Sequence, residues 1–353
     1  MRLTLTPLPE EDNPEYDWVD PTPNPDDPGR CGNCHKETYR EWAASGHARS
    51  ASSPELLRAY QQLSDERPEG AAVCSSCHAP ALPPGDPGLS DLREARGVAA
   101  LGAHCDFCHK VAGQDEGVIG LTHGRHLLKL LRPREGQLFF GPLDDVDRGE
   151  DAYSPFYRDS RYCAACHEGV VFGVPVYTTY SEWLESPARR QGKHCQDCHM
   201  KPTGRMTNTA PGRGGLERGP HALSNHAFWD GSQEQMLRAA LGVEARLRGA
   251  EAEVRVTARG VGHRVPTGFL SRRLEAEAVG VDAAGQVLAT HRWVYARSTG
   301  GVPFWSSPEV VDTRLTPDVA DVRRLRFGPG LAEVRVRLTY RKHEGGSGLA
   351  VWP

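Results

Sequence analysis

The pattern of apolar and polar positions divides the chain into two textures. From about residue 235, Leu241, Val243, Ala245 and Leu247 interleave with Gly242, Glu244 and Arg246, and Val254 and Val256 resume the alternation after a turn. A period of two places every second side chain on one face, as in a strand with one face buried. The pattern recurs on both sides of the DAAGQ turn in RRLEAEAVGVDAAGQVLATHRWVY and again in LAEVRVRLTYRK, so about seven strands are expected. Short strands of this kind predict an immunoglobulin-like β-sandwich over residues 235–353. Before it, over residues 31–234, no period is sustained, and short helices joined by irregular segments are expected. One such helix is read over KETYREWAASGHARS. Residues 1–30 repeat Pro, Asp and Asn, which predicts an extended arm that wraps the body or reaches a partner. No apolar run reaches the length of a transmembrane helix.

Composition adds a problem to this picture. Only 38% of the 353 residues are hydrophobic and 7% aromatic, while 38 Gly and 27 Pro favour loops. A core this poor in apolar side chains is marginal unless another source of apolar surface completes it. The charge balance, 42 basic against 46 acidic residues for a net −4, offers no nucleic-acid surface.

The cysteines supply the missing source. All 10 fall into CxxCH pentapeptides: Cys31, Cys34 and His35; Cys74, Cys77 and His78; Cys105, Cys108 and His109; Cys163, Cys166 and His167; Cys195, Cys198 and His199. On one helical turn, thiols at i and i+3 reach the two vinyl groups of a haem, and the imidazole at i+4 lies on the same face to bind iron. Paired CxxC sequences also make zinc sites, but an odd fifth pair and a histidine after each fit zinc poorly. A disulfide framework has no need of the histidines. Five covalently bound haem c groups are therefore expected, with the ten cysteines as attachment residues and the five motif histidines as proximal ligands.

Sixth ligands must come from the remaining histidines, because only 4 Met are present and Met1 is a poor candidate. Mostly bis-histidine coordination, and with it low potentials, is the expectation. His47 follows the first motif on a helix-like segment about 18 Å long, so it is expected to serve a neighbouring haem rather than its own. Of His123 and His126 in THGRH, one is expected to bind iron and the other to bind a propionate or steady its neighbour. His226 in SNHAFWDG and His263 in GVGHRVPTGF lie in turns where a ring can be aimed. His104 and His194 directly precede attachment cysteines, too close to serve their own haem, and are open candidates for a neighbour. His221 stays unassigned, and His291 and His343 read as ordinary residues.

CGNCHKETYREWAASGHARS resembles the first haem segment of the multihaem cytochrome c family that includes the tetrahaem cytochrome of ammonia oxidisers. The resemblance continues through AHCDFCHKV, FFGPLDD, YSPFYRDSRYCAACHEG, YSEWLESPARRQGKHCQDCHMKP and SNHAFWDG, covering roughly residues 31–230. It implies that His47 and His226 are distal ligands, and that GHRVPTGF opens an appended β domain. This chain departs from the family in lacking a His shortly before YSPFY. His123, His126 or His263 substitutes, or one iron stays open, or a neighbouring molecule donates the ligand.

The function expected is an electron-transfer relay between redox partners of a respiratory or photosynthetic chain. One alternative is an oxidoreductase acting on a small nitrogen or sulfur compound at one five-coordinate haem. The other is a subunit of a haem filament, homo-oligomer or larger redox complex. No CxxCK motif is present to favour the enzyme. Attachment to CxxCH takes place outside the cytoplasm, so a periplasmic or extracellular location is expected. MRLTLTPLPEED lacks the basic and apolar regions of a signal peptide, and the signal is expected to have been trimmed or replaced at Met1.

Overall fold

A computed structural model describes residues 7–83, 90–144, 150–231, 233–343 and 346–350. Contacts divide the chain into two compact units, one of residues 1–166 with 194–228, the other of residues 167–193 with 229–353.

The motifs sit on one-turn or two-turn helices, Cys31–Cys34, Ser75–His78, Cys105–His109, Arg161–His167 and Cys195–His199, all in the first unit except for His167 itself. Longer helices cover Lys36–Ala44 and Pro54–Glu66. The second of these starts where Ser53 Oγ accepts from the Leu56 amide at 3.4 Å and Pro54 opens the first turn, and it buries Tyr60 and Leu63. The Lys36–Ala44 helix is shorter than the reading from sequence. It stops at Ser45, and His47 opens a separate 3-10 turn, His47–Arg49. The Ser45–Gly46 step turns the chain there: the Ser45 amide closes onto the Trp42 carbonyl, and its hydroxyl accepts from the His47 amide at 3.2 Å.

Strand structure in this unit is slight. β1 (Val111–Gln114) pairs antiparallel with β2 (Leu128–Leu130), and β3 (Phe139–Gly141) pairs parallel with β4 (Asp151–Tyr153). The side-chain cores are correspondingly small, one around Phe107, Val111, Leu127 and Leu128, another around Leu131, Leu138 and Phe140.

The N-terminal arm is a docked strap. Asp12 forms a bidentate pair with Arg132, which is only 5% exposed. The Tyr16 hydroxyl donates to Asp106 at 3.0 Å, and the Val19 amide donates to the same carboxylate at 2.8 Å. The Pro21 carbonyl then accepts from the Gly32 amide at 2.9 Å. A Cβ at Gly32 would lie 2.6 Å from that carbonyl, so the x position inside CGNCH is restricted to glycine by the strap.

The second unit begins at β5 (Glu168–Val171) and β6 (Val174–Thr178), an antiparallel hairpin, followed by the helices Thr179–Glu185 and Pro187–Arg190. After the helix Glu234–Ala240 come, among the described residues, eight strands where the pattern suggested about seven: β7 (Leu241–Arg248), β8 (Glu251–Ala258), β9 (Arg273–Val281), β10 (Val287–Thr299), β11 (Val310–Asp312), β12 (Ala320–Arg326), β13 (Glu333–Arg341) and β14 (Gly348–Ala350). They form two antiparallel sheets ordered β12-β8-β7 and β11-β10-β9-β13-β14. Both sheets contribute to one core, with Val254 and Val256 of β8 against Leu274, Ala276 and Ala278 of β9 and Leu338 of β13.

The boundary between units differs from the single break near residue 234 read from the sequence. Residues 167–193 join the β strands because polar side chains bind them there: Arg297 of β10 donates to the Val176 carbonyl at 2.7 Å, and Arg314 pairs with Glu182 at 2.6 Å. No described helix is long and apolar enough to cross a membrane.

Candidate functional site

No disulfide joins any of the ten cysteines, nine of which are half-buried and one, Cys198, exposed. Three of the motif imidazoles are oriented by main-chain carbonyls: His35 Nδ1 on Thr209 O at 3.0 Å, His78 Nδ1 on Ser50 O at 3.0 Å, and His109 Nδ1 on Phe140 O at 2.6 Å. A carbonyl can only accept, so Nδ1 carries the proton in each ring and Nε2 keeps its lone pair. A histidine that ligates iron through Nε2 needs this tautomer. Burial also holds His78 and His109 below the usual imidazole range, in the neutral form a metal requires. His199 is half-buried, and His167, the last residue of its helix, is exposed.

The motifs touch one another through their thiols. Cys31 lies beside Cys105, Cys77 beside Cys166, and Cys163 beside Cys195. Main-chain and side-chain bonds reinforce the pairs. Trp42 Nε1, on the helix after motif one, donates to the Ala103 carbonyl just before motif three at 2.9 Å. Tyr157 and Tyr162 donate to the Cys108 carbonyl at 2.6 and 2.9 Å, fastening the approach to motif four onto motif three. The segment after motif five returns to motif one, where the His226 amide donates to Glu41 at 2.8 Å.

His104 and His194 act differently. Each steadies the helix of the motif that follows or precedes it: His104 Nδ1 accepts from the Phe107 amide at 3.3 Å, and His194 Nδ1 accepts from the Ser160 amide at 3.1 Å. A ring whose Nδ1 accepts carries its proton on Nε2, the opposite tautomer to the one iron requires. Burial depresses His104 to about 4, so it stays a neutral cap. Sequence position left both open; the bonds at Nδ1 set them apart from the motif histidines, although the buried Nε2 of His104, like that of His123, has no hydrogen-bond partner.

The other candidates separate. His126 is exposed, whereas the buried Nε2 of His123 has no hydrogen-bond partner. Next to His123, Gly124 adopts φ +56° with its Cα against the Ser76 carbonyl inside motif two, where no side chain fits. His226 lies within electrostatic reach of His109 and His35, burial lowers it to about 4, and its buried Nδ1 has no hydrogen-bond partner. The His47 ring meets Phe228 edge-on at 4.4 Å, and His226 meets the same ring at 5.9 Å. Phe228 holds φ +46°, a costly conformation for a bulky residue, and thereby sets its ring between the two histidines. His263 is half-buried in the β8–β9 connection of the second unit, its Nδ1 on the Arg264 carbonyl at 3.0 Å, which again leaves Nε2 its lone pair. His291 Nε2 faces the Arg326 carbonyl at 2.9 Å and is an ordinary strand residue.

These donors fit haem. Thiols at i and i+3, imidazoles with a prepared Nε2, and buried imidazole nitrogens lacking partners are what covalent attachment and axial ligation use. Among the described residues no three Cys, His, Asp or Glu side chains converge as a zinc set would. Sequence reasoning missed Ser50, Ser160, Tyr157 and Tyr162, whose roles arise from contacts across the chain. The one local signal was the tyrosines' presence in the YSPFYRDSRYCAACH segment.

Residues 30–110 match the family model described as cytochrome c554 and c-prime. The fold is similar to the crystal structure of a penta-heme cytochrome c552 from Thermochromatium tepidum, with a TM-score of 0.70 and 21% identity, over 91% of this chain and 96% of that one. No curated protein matches the chain. Family model and fold together bear out the multihaem cytochrome c resemblance carried by the motif segments.

Proposed function

We propose that this chain, a multihaem c-type cytochrome by its motifs, its family match and its fold, carries five covalently bound haem c groups and acts outside the cytoplasm as an electron-transfer relay between redox partners. The observation that carries the reading is the contact network of the motifs. Cys31–Cys105, Cys77–Cys166 and Cys163–Cys195 bring the attachment sites together in pairs, and Tyr157 and Tyr162 join motif three to motif four. Haem c held at each motif supplies an iron that exchanges one electron at a time. The chain's residues fix how closely those irons lie and what surrounds them. His35, His78, His109, His167 and His199 are the proximal ligands. Distal ligands come from His47, His123, His226 and His263, with His123 favoured over His126 by its buried, partnerless nitrogen.

In the immunoglobulin-like reading, the C-terminal strands serve packing and docking. Strand orders β12-β8-β7 and β10-β9-β13-β14, with β11 added at one edge, support that topology.

Four distal candidates for five motifs support a second reading, in which one iron is open to a small nitrogen or sulfur compound or takes a histidine from another subunit. Absorption and electron paramagnetic resonance spectra of the oxidised monomer separate the two. Five low-spin haems are expected of a relay. A high-spin haem that binds added nitrite or hydroxylamine would establish the enzyme, and one that becomes low-spin only on self-association would establish the assembly.

A further inference from the structure

A buried ion pair belongs to the third motif and lies entirely within the first unit. Asp106 stands between Cys105 and Cys108, and Lys110 directly follows His109. Lys110 Nζ donates to Asp106 Oδ1 at 2.5 Å, and neither side chain has any solvent exposure. The strap closes the other carboxylate oxygen: Oδ2 accepts from the Tyr16 hydroxyl at 3.0 Å and from the Val19 amide at 2.8 Å. Around the ammonium stand Gln137 Oε1 at 3.3 Å, the Phe139 ring at 3.9 Å and the Tyr16 ring at 5.0 Å. Both charges also fall within electrostatic reach of Cys31 in motif one, which lies beside Cys105.

Packing alone does not call for this arrangement. Desolvating two charges costs about as much as their attraction returns, and apolar residues of similar volume are often as stable or more so. What the pair supplies is two opposite fixed charges at a covalently defined place. A group attached through Cys105 and Cys108 has the Asp106 backbone between its two anchors, so the motif itself bounds its distance from the carboxylate. In surroundings of effective dielectric constant about 20, a unit charge about 10 Å from an iron changes a one-electron equilibrium on the order of tenfold.

We propose that Asp106 and Lys110 set the reduction potential of the haem attached at Cys105 and Cys108. The carboxylate lowers it by favouring ferric iron, and the ammonium raises it by favouring ferrous iron. The inference rests on the reading of motif three as a haem site. One electron passes between the iron and a redox partner, while neither residue gains or loses a proton. The strap keeps water from both charges, so each acts close to full strength. In the intact pair the two effects oppose each other, and removing one residue uncovers the effect of the other.

The test uses the holoprotein with Asp106→Asn, Lys110→Met and the double variant. Mass spectrometry of the peptide containing Cys105 and Cys108 comes first. A wild-type peptide without haem would remove the haem reading of this motif, and the relay with it, before any potential is taken. Redox titration followed by nuclear magnetic resonance then gives the potential of each haem, the one at motif three being assigned through its thioether contacts to Cys105 and Cys108. In Asp106→Asn that haem is expected to shift about tenfold toward the reduced form, about 59 mV for a one-electron couple. In Lys110→Met it is expected to shift by a similar factor toward the oxidised form, and in the double variant to return close to the wild-type value. The haem at Cys31 and Cys34 should follow with the same signs and smaller shifts. Water admitted by loosened packing moves a potential in one direction, so opposed signs are a readout that a purely structural pair does not give. An unmoved potential in a single variant, shifts of the same sign in both, or a double variant left displaced would mean that the pair only fastens the strap to the motif, and the proposal falls. If Lys110→Met does not accumulate, Asp106→Asn and the double variant carry the test, because equal potentials in those two overturn it as well.

Discussion

His78 and Ser50 hold each other by two bonds: the His78 ring nitrogen faces the Ser50 carbonyl at 3.0 Å, and the Ser50 hydroxyl donates to the His78 carbonyl at 2.8 Å. The same hydroxyl accepts from the Ala103 amide at 3.2 Å, so one serine gathers the segment after motif one, the histidine of motif two and the entry to motif three. Ser50→Ala removes both hydroxyl bonds and keeps the carbonyl contact. A loss of about 1–3 kcal/mol in chemical denaturation is expected, with the haem count unchanged.

His123 and His126 give opposite outcomes. Replacing His123 with alanine is expected to convert one haem from low-spin to high-spin in electron paramagnetic resonance, whereas His126→Ala leaves the spectrum as it was. The reverse result would transfer the ligand role to His126 despite its exposure.

Lys110 and Asp106, both fully buried and 2.5 Å apart, form an ion pair one turn long inside and just after the third motif. Tyr16 and Val19 of the strap complete the carboxylate's bonds, and Lys110 Nζ lies 3.9 Å above the Phe139 ring. Lys110→Met leaves the carboxylate uncompensated, at an expected cost of about 3–5 kcal/mol. The double variant with Asp106→Asn should cost clearly less than the sum of the two single changes, and strict additivity in the cycle would refute the coupling.

Acid should loosen the strap. Burial raises the Asp12 pKa, but hydrogen bonds and charge from Arg132 outweigh it and leave the group below its ordinary 3.8. A depressed carboxylate contributes stability that is complete above pH 3.8 and is lost as pH falls through the lower folded value. Cleavage within residues 7–30 by an acid-active protease should therefore rise below that pH in the wild type. In Asp12→Asn it should already be high at neutral pH, and equal protection of the two proteins would show that Asp12 does not hold the arm.

The attachment chemistry was legible without a structure, because covalent anchoring needs thiols and an imidazole at i, i+3 and i+4, a local requirement written in each CxxCH. The β texture was legible for the same reason: strands such as β8 and β9, each with one face in the core, must alternate. Local pattern could not tell His123 from His126, or separate His104 and His194 from the ligand candidates. Those distinctions depend on which nitrogen meets an amide and which is buried alone, and the deciding groups lie far away in sequence for His194, as Ser160 does. The adjacency of Cys31 with Cys105 and of Cys77 with Cys166, and the return of residues 167–193 to the β unit, were likewise decided only by tertiary packing. The physical reason is that spacing along the chain constrains neighbours within a turn or a strand, whereas closure of long loops is set by the sum of many weak contacts that no single segment carries.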